Sequence, residues 1–177
     1  MPLLTVGHGT LDRAQLGELL AGAGMDGVVD VRRYPASRRH PDMAREALAD
    51  WLPEFKVAYR WEERLGGRRH LRKADGESPD SWWQVDAFRA YAAHTRTEEF
   101  RDALAEVIEE SRDRRVGVMC SESVWWRCHR RLIADVVALT TQVPVGHLMH
   151  NGTVRPHRPA EGARRDGDVL IWDGSPS

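Results

Sequence analysis

Lysine is almost missing from this chain. Lys56 and Lys73 are its only lysines among 26 basic residues, so arginine carries the positive charge. A GC-rich genome explains the number of arginines; their positions say more, because a guanidinium is a planar, permanently charged fork matched to phosphate or carboxylate. They cluster at Arg32 to Arg39 and Arg127 to Arg131. An excess of either sign is also missing, since 26 basic residues face 27 acidic ones and the formal net charge is -1. That balance removes the global electrostatic footprint of a non-specific nucleic-acid or anionic-membrane binder and leaves only local patches for such work. No uncharged run is long enough to span a bilayer, and no basic segment followed by an apolar core opens the chain. Internal repeats and low-complexity tracts are absent as well. A cytoplasmic protein without a membrane partner is the expectation.

Cysteine is scarce, and both cysteines fall within one short stretch, Met119-Cys120-Ser121-Glu122-Ser123-Val124-Trp125-Trp126-Arg127-Cys128-His129-Arg130. Two cysteines separated by seven residues, on a turn and the helix after it, are a poor disulfide framework, and a reducing compartment keeps them as thiols. The stretch follows an apolar run at 115–119 and precedes Leu132, Val136 and Leu139 at helical spacing. It therefore reads as strand, turn and helix, with Cys120 facing the first helical turn, where unpaired N–H groups favour a thiolate or a bound anion.

At 177 residues the chain suits one domain with a full core. Strands are expected at 3–6, 28–31, 57–61, 115–119 and 143–149. Helices are expected at 11–20, with Thr10 as N-cap, and at 43–52, 85–94, 98–112 and from 131 to about 140. Residues 69–83 read as a long loop, and 151–177 as a polar tail in which Val169 to Trp172 offers a short edge strand or a short docking segment. Strands alternating with helices predict a single three-layer α/β domain over 1–150, with a mostly parallel sheet of about five strands and helices on both faces. In such a sheet the polar motifs at strand ends share one edge, and ligands bind there.

Thr5-Val6-Gly7-His8, Val29-Asp30-Val31-Arg32 with Pro35 and Ser37-Arg38, Leu65-Gly66-Gly67, and Met119-Cys120 with Glu122 and Cys128-His129-Arg130 together resemble the domain-of-unknown-function 488 family, over residues 3 to about 148. The resemblance implies a small bacterial or archaeal cytoplasmic α/β domain. Carried over by position, its polar signature is His8, Asp30, Arg32, Ser37, Arg38, Gly66, Gly67, Cys120, Glu122, Cys128, His129 and Arg130. Val124-Trp125-Trp126 stands where many members carry a shorter acidic and proline-containing turn.

Three chemistries compete for these residues. The first is an enzyme with Cys120 as nucleophile or Glu122 as acid or base, assisted by Asp30 and His8. Its substrate is a small anionic or nucleotide-like molecule held by Arg32, Ser37, Arg38, Gly66, Gly67, Cys128, His129 and Arg130. A cysteine-phosphatase loop is excluded, because Trp126 occupies the position six residues after Cys120 where that loop needs arginine. Gly66-Gly67 lacks the lysine and hydroxyl of a nucleotide-binding loop and serves equally well as a turn. Asp30 and Arg32 share one strand face, either to meet a ligand or to pair with each other. Cys128 falls about two turns along the helix, and His129 and Arg130 fall on different faces, so at most one of these two shares a pocket with Cys120. The second reading is a non-catalytic nucleotide or nucleic-acid module that stacks bases on Trp82-Trp83 and Trp125-Trp126. The third is a metal site built from Cys120, Cys128, His129 and either His8 or His147, whose spacing departs from that of standard zinc sites. No cofactor is identified, and the oligomeric state is open.

Overall fold

The computed structural model describes residues 1–175. Five strands are parallel: β1 (Leu3–Gly7), β2 (Gly27–Asp30), β3 (Ala58–Trp61), β4 (Val116–Cys120) and β5 (Val145–Leu148). A short β6 (Val154–Pro156) pairs antiparallel with β5 and completes a six-stranded sheet of order β3-β2-β4-β1-β5-β6. The sheet thus exceeds the expected five strands by one edge strand, contributed by the predicted tail. Five helices connect and cover the strands: α1 (Arg13–Gly22), α2 (Arg45–Trp51), α3 (Asp86–Thr95), α4 (Glu98–Asp113) and α5 (Arg130–Thr140).

Strand alternation sorts the apolar residues into two cores, as a sheet covered on both faces requires. Leu4, Val6, Val28 and Met119 point toward Leu16 and Leu20 of α1 and Leu48 and Trp51 of α2. Their neighbours Leu3, Val29 and Val118 point the other way, toward Tyr91 of α3, Phe100 and Val107 of α4, and Ile133 and Val137 of α5. The three-layer α/β expectation holds. The chain leaves β1 toward one face, through α1, and leaves β4 toward the other, through α5. Their carboxyl ends are adjacent in the sheet, so they form the topological switch point where open α/β sheets bind ligands.

Two local expectations are corrected. The N-cap of α1 is Asp12, not Thr10: Gln15 N–H donates to Asp12 Oδ1 at 2.8 Å and Asp12 N–H donates to Gln15 Oε1 at 3.0 Å, a reciprocal capping box. Val169 to Trp172 does not join the main sheet. It forms β8 (Val169–Trp172), which pairs with β7 (Ala163–Asp166) in a separate hairpin. The hairpin packs inward through Ala160, Leu170 and Trp172, which belong to the core on the α5 side. Trp172 N–H and Arg96 both bond Asp80, so the 69–83 loop is tied to the hairpin by a buried carboxylate. Pro176 and Ser177, the end of the predicted tail, lie outside the described residues.

Trp172 is fully buried, and its indole N–H donates to Asp135 Oδ2 at 2.9 Å. Trp172→Ala is expected to cost about 3–5 kcal/mol of unfolding free energy, as for other buried aromatic truncations. Denaturant unfolding followed by circular dichroism checks this; a loss below about 1 kcal/mol would show that the hairpin is an appendage.

Candidate active site

Gly7 ends β1 with no room for a side chain: a Cβ there would lie 1.8 Å from the Glu122 carbonyl oxygen. This absence lets the β4–α5 loop fold across the end of β1, where His8 N–H donates to Cys120 O and Gly9 N–H to Ser121 O. The loop turns through a short 3-10 segment at Trp125–Arg127, and α5 starts only at Arg130. Cys128 therefore precedes the helix instead of lying two turns along it. Its Sγ is 2.8 Å from Cys120 Sγ, both thiols being free, and the Arg130 backbone N–H donates to it at 3.5 Å. The helix N-terminus thus serves Cys128, where Cys120 was expected to receive it.

Arg130 organises the pair. Its guanidinium is 1% exposed, and it donates from Nε to Cys120 Sγ at 3.0 Å, from Nη1 to Thr5 Oγ1 at 3.0 Å and from Nη2 to the Glu122 carbonyl. No carboxylate pairs with it among the described residues. Burial opposes ionisation of Cys128, but the hydrogen bond from Cys120 and the adjacent Arg130 charge outweigh it and bring this thiol down to about 7. Burial and the Cys128 neighbour push Cys120 well up. The two titrate as a unit holding one proton and one negative charge.

His129 donates from Nε2 to Val31 O (2.7 Å), and its Nδ1 lies 3.4 Å from Cys128 Sγ. Arg130 and His129 both meet the sulfur pair, but of the two His129 lines the cleft with Cys120 and Arg130 does not, in line with the expectation that at most one shares that pocket. Gly67 lies against the His129 ring and Gly66 against the Arg33 backbone, where added Cβ atoms would approach to 3.0 and 2.7 Å. Both glycines act by close packing.

A cleft of about 620 Å³ opens over this constellation. Cys120, Cys128, His129, His8 and Glu122 line it together with Arg32, Arg33, Arg68 and Arg127. Tyr34, Phe88 and Tyr91 supply apolar wall, and Ser37 and Gly67 lie on the rim. Arg33, Arg68 and Arg127 were missed in the sequence reading; Arg38 was included there, but it is exposed and outside this lining. The signal for Arg68 was its place directly after Leu65-Gly66-Gly67, and its backbone is held in the left-handed region at φ 56°.

Asp30 is fully buried and fully engaged. It accepts Arg32 Nε at 2.9 Å, Arg32 Nη2 at 2.7 Å and the Tyr59 hydroxyl at 2.6 Å, so it is an anchor for Arg32 and not an available base. Glu122 is exposed and caps its own turn, accepting Val124 N–H at 3.1 Å. Ser37 Oγ accepts the His40 N–H. His8 is buried, and burial together with the Arg32 charge lowers its pKa to about 4. The proposed metal ligands do not converge: His8 faces Arg32, and His147 bonds Thr5 and His157 on the other side of Arg130. Among the described residues no three metal-type side chains are grouped for an ion. The tryptophan pairs are also occupied, since Trp83 is core and Trp125 stacks on His147 with ring centroids 4.0 Å apart.

The family model described as Domain of unknown function DUF488 matches residues 12–137. That range is shorter than the expected 3 to 148 and leaves out both His8 and His147. No curated protein and no solved structure matches the chain. Among the described residues no helix is long and apolar enough to cross a membrane.

His8 generates a pH prediction. An unfolded histidine takes a proton near 6.5, whereas the folded one resists until about 4. The unfolded state thus binds more protons across that window, so stability falls as pH drops from about 6.5 to 4, by up to about 3 kcal/mol from this group. His147, lowered to about 3 by burial and by His157, acts in the same direction. Thermal melts of wild type and His8→Gln between pH 7 and 4 check it, the variant showing the shallower decline.

Proposed function

The chain belongs to the DUF488 family, and from that premise and the geometry of the cleft we propose that it is a thiol-dependent enzyme acting on a small anionic substrate. The observation that carries this reading is the buried Cys120–Cys128 pair, held on a guanidinium that has no carboxylate partner, at the floor of an arginine-lined cleft. A buried cation without a counter-ion costs several kcal/mol, and among the described residues a thiolate is the group in contact with it that can supply one.

The nucleophile is Cys128. It has the lower pKa, the helix N-terminus and the Cys120 sulfur 2.8 Å away. Cys120 is its proton-holding partner, a change from the expectation of Cys120 as nucleophile or Glu122 as acid or base. Arg33, Arg68 and Arg127 draw the anion in, and His8 stays neutral at physiological pH beside the fixed Arg32 charge. Nucleotide-like substrates fit the same reading through the apolar wall of Tyr34 and Phe88. The reduced thiols and the small acidic substrate agree with a cytoplasmic setting.

Alkylation tests the reading. Iodoacetate should modify Cys128 before Cys120, with a rate that rises through about pH 7 and levels above it, because only the thiolate reacts. Relative to neutral iodoacetamide, iodoacetate should gain about 10-fold over a free peptide thiol, and Arg68→Gln with Arg127→Gln should remove most of that gain. Peptide mass mapping reads the site. Equal, slow labelling of both cysteines with a midpoint near 9 would sink the assignment.

A further inference from the structure

We propose that Cys120 and Cys128 form a redox pair that exchanges with small disulfides carrying carboxylates, a substrate class that rests on the anionic-ligand reading above and sharpens it. Sulfur atoms 2.8 Å apart need to approach by less than 1 Å to reach the bond length of about 2.05 Å. Both sulfurs line the cleft, so an incoming disulfide meets the pair directly. The segment between them, residues 121–127, is turn and 3-10 backbone, which adjusts more easily than a strand or a helix.

The exchange balances without outside help. Cys128 thiolate attacks one sulfur of the small disulfide; the S–S bond breaks, its electron pair leaves with the other half as a thiolate, and a mixed disulfide forms at Cys128. The charge that balanced Arg130 has then left the pair. Arg130 is buried, still positive and hydrogen-bonded through Nε to Cys120 Sγ, so it favours ionisation of the remaining thiol, whose proton passes to the departing thiolate. Cys120 thiolate attacks Cys128 Sγ and expels the second half. The protein dithiol is oxidised, and the small disulfide is reduced to two thiols. A small dithiol runs the same steps backward.

The unpaired guanidinium fixes the sign of a second property. Closing the disulfide removes the single negative charge of the sulfur pair and leaves Arg130 without a counter-ion. The reduced form is therefore the stabler one, and the disulfide is strongly oxidising, whereas an ordinary disulfide adds stability by constraining the unfolded chain. The arginines of the cleft select among disulfides, since carboxylate arms match their forks and ammonium arms are repelled.

The test uses the full-length reduced protein, mixed at pH 7.5 with glutathione disulfide, which is anionic, or with cystamine, which is cationic. Both free thiols are expected to disappear together by thiol titration, with loss of two hydrogens in the intact mass, about 10-fold faster for the anionic reagent. Cys120→Ser should stop at the mixed disulfide, and Cys128→Ser should react slowly. The oxidised protein should melt below the reduced protein, and dithiothreitol should restore it. A wild type that keeps its mixed disulfide unresolved, or whose oxidised form melts higher, overturns the redox pair while leaving the nucleophile in place. Failure of Cys128 to react with either iodoacetate or glutathione disulfide overturns the anionic-substrate reading itself.

Discussion

A positive charge buried under the sheet edge sets the terms for this structure. Arg130 sits at the first position of α5, with its guanidinium beneath the ends of β1 and β4, and no carboxylate answers it among the described residues. Each of its three nitrogens donates instead to a sulfur, a hydroxyl or a carbonyl: Cys120, Thr5 and Glu122. Every one of these partners comes from a switch-point element. Gly7 has no side chain because the Glu122 carbonyl and the guanidinium occupy the space it would fill. The burial that makes the ion costly also makes the thiolate stable.

From the same guanidinium a single line of hydrogen bonds runs away from the cleft. Arg130 donates to Thr5 Oγ1, so the Thr5 hydroxyl hydrogen is free for His147 Nδ1 at 2.6 Å. That leaves His147 with its proton on Nε2, donated to His157 Nδ1 at 2.8 Å, and His157 with its proton on Nε2, donated to Asp135 at 2.7 Å. The tautomers follow from the partners. His147 is neutral in this arrangement, in keeping with its depressed pKa. His157 and Trp172, which ends on the same carboxylate, belong to the segment beyond the family match. The C-terminal segment is therefore coupled to the cleft through Arg130, although it contributes no lining residue there.

The layer architecture was legible because apolar runs of four or five residues alternated with helical spacing, and each run became a strand. The shared edge was legible too: a glycine, a basic loop and a thiol each followed such a run. Less legible was anything that depended on how the chain turns after β4. A helix was expected to begin soon after Cys120, which moved Cys128 two turns away and set His129 and Arg130 on opposite faces. The 3-10 turn at Trp125–Arg127 delays α5 and reverses the first two of these expectations, while the third holds, since His129 lines the cleft and Arg130 does not. Local polarity does not distinguish such a turn from a first helical turn, since both tolerate serine, glutamate and arginine. Pairing of Asp30 with Arg32 followed from strand alternation, but only the added Tyr59 hydroxyl shows that the carboxylate has no free lone pair to offer a substrate. The tail was read as polar because, apart from Val169 to Trp172, its apolar residues are few and scattered, and nothing local shows that Ala160, Leu170 and Trp172 reach the core.

Fixed charges and variable charges are separated in the cleft. Arg32 is neutralised by Asp30, and its partner His8 is held neutral, so that side of the floor keeps a constant potential over the physiological range. Arg33, Arg68 and Arg127 supply the standing positive field at the mouth. Among the described residues, the sulfur pair at the floor faces a buried cation that no carboxylate partners. Chemistry that consumes the sulfur charge therefore shifts the potential at Arg130, and through Thr5 the whole hydrogen-bonded line to Asp135 feels the change. A site built this way responds most strongly to a substrate that takes electrons from sulfur. It responds less to one that merely occupies the arginines, because their field stays the same whether the cleft is reduced or oxidised.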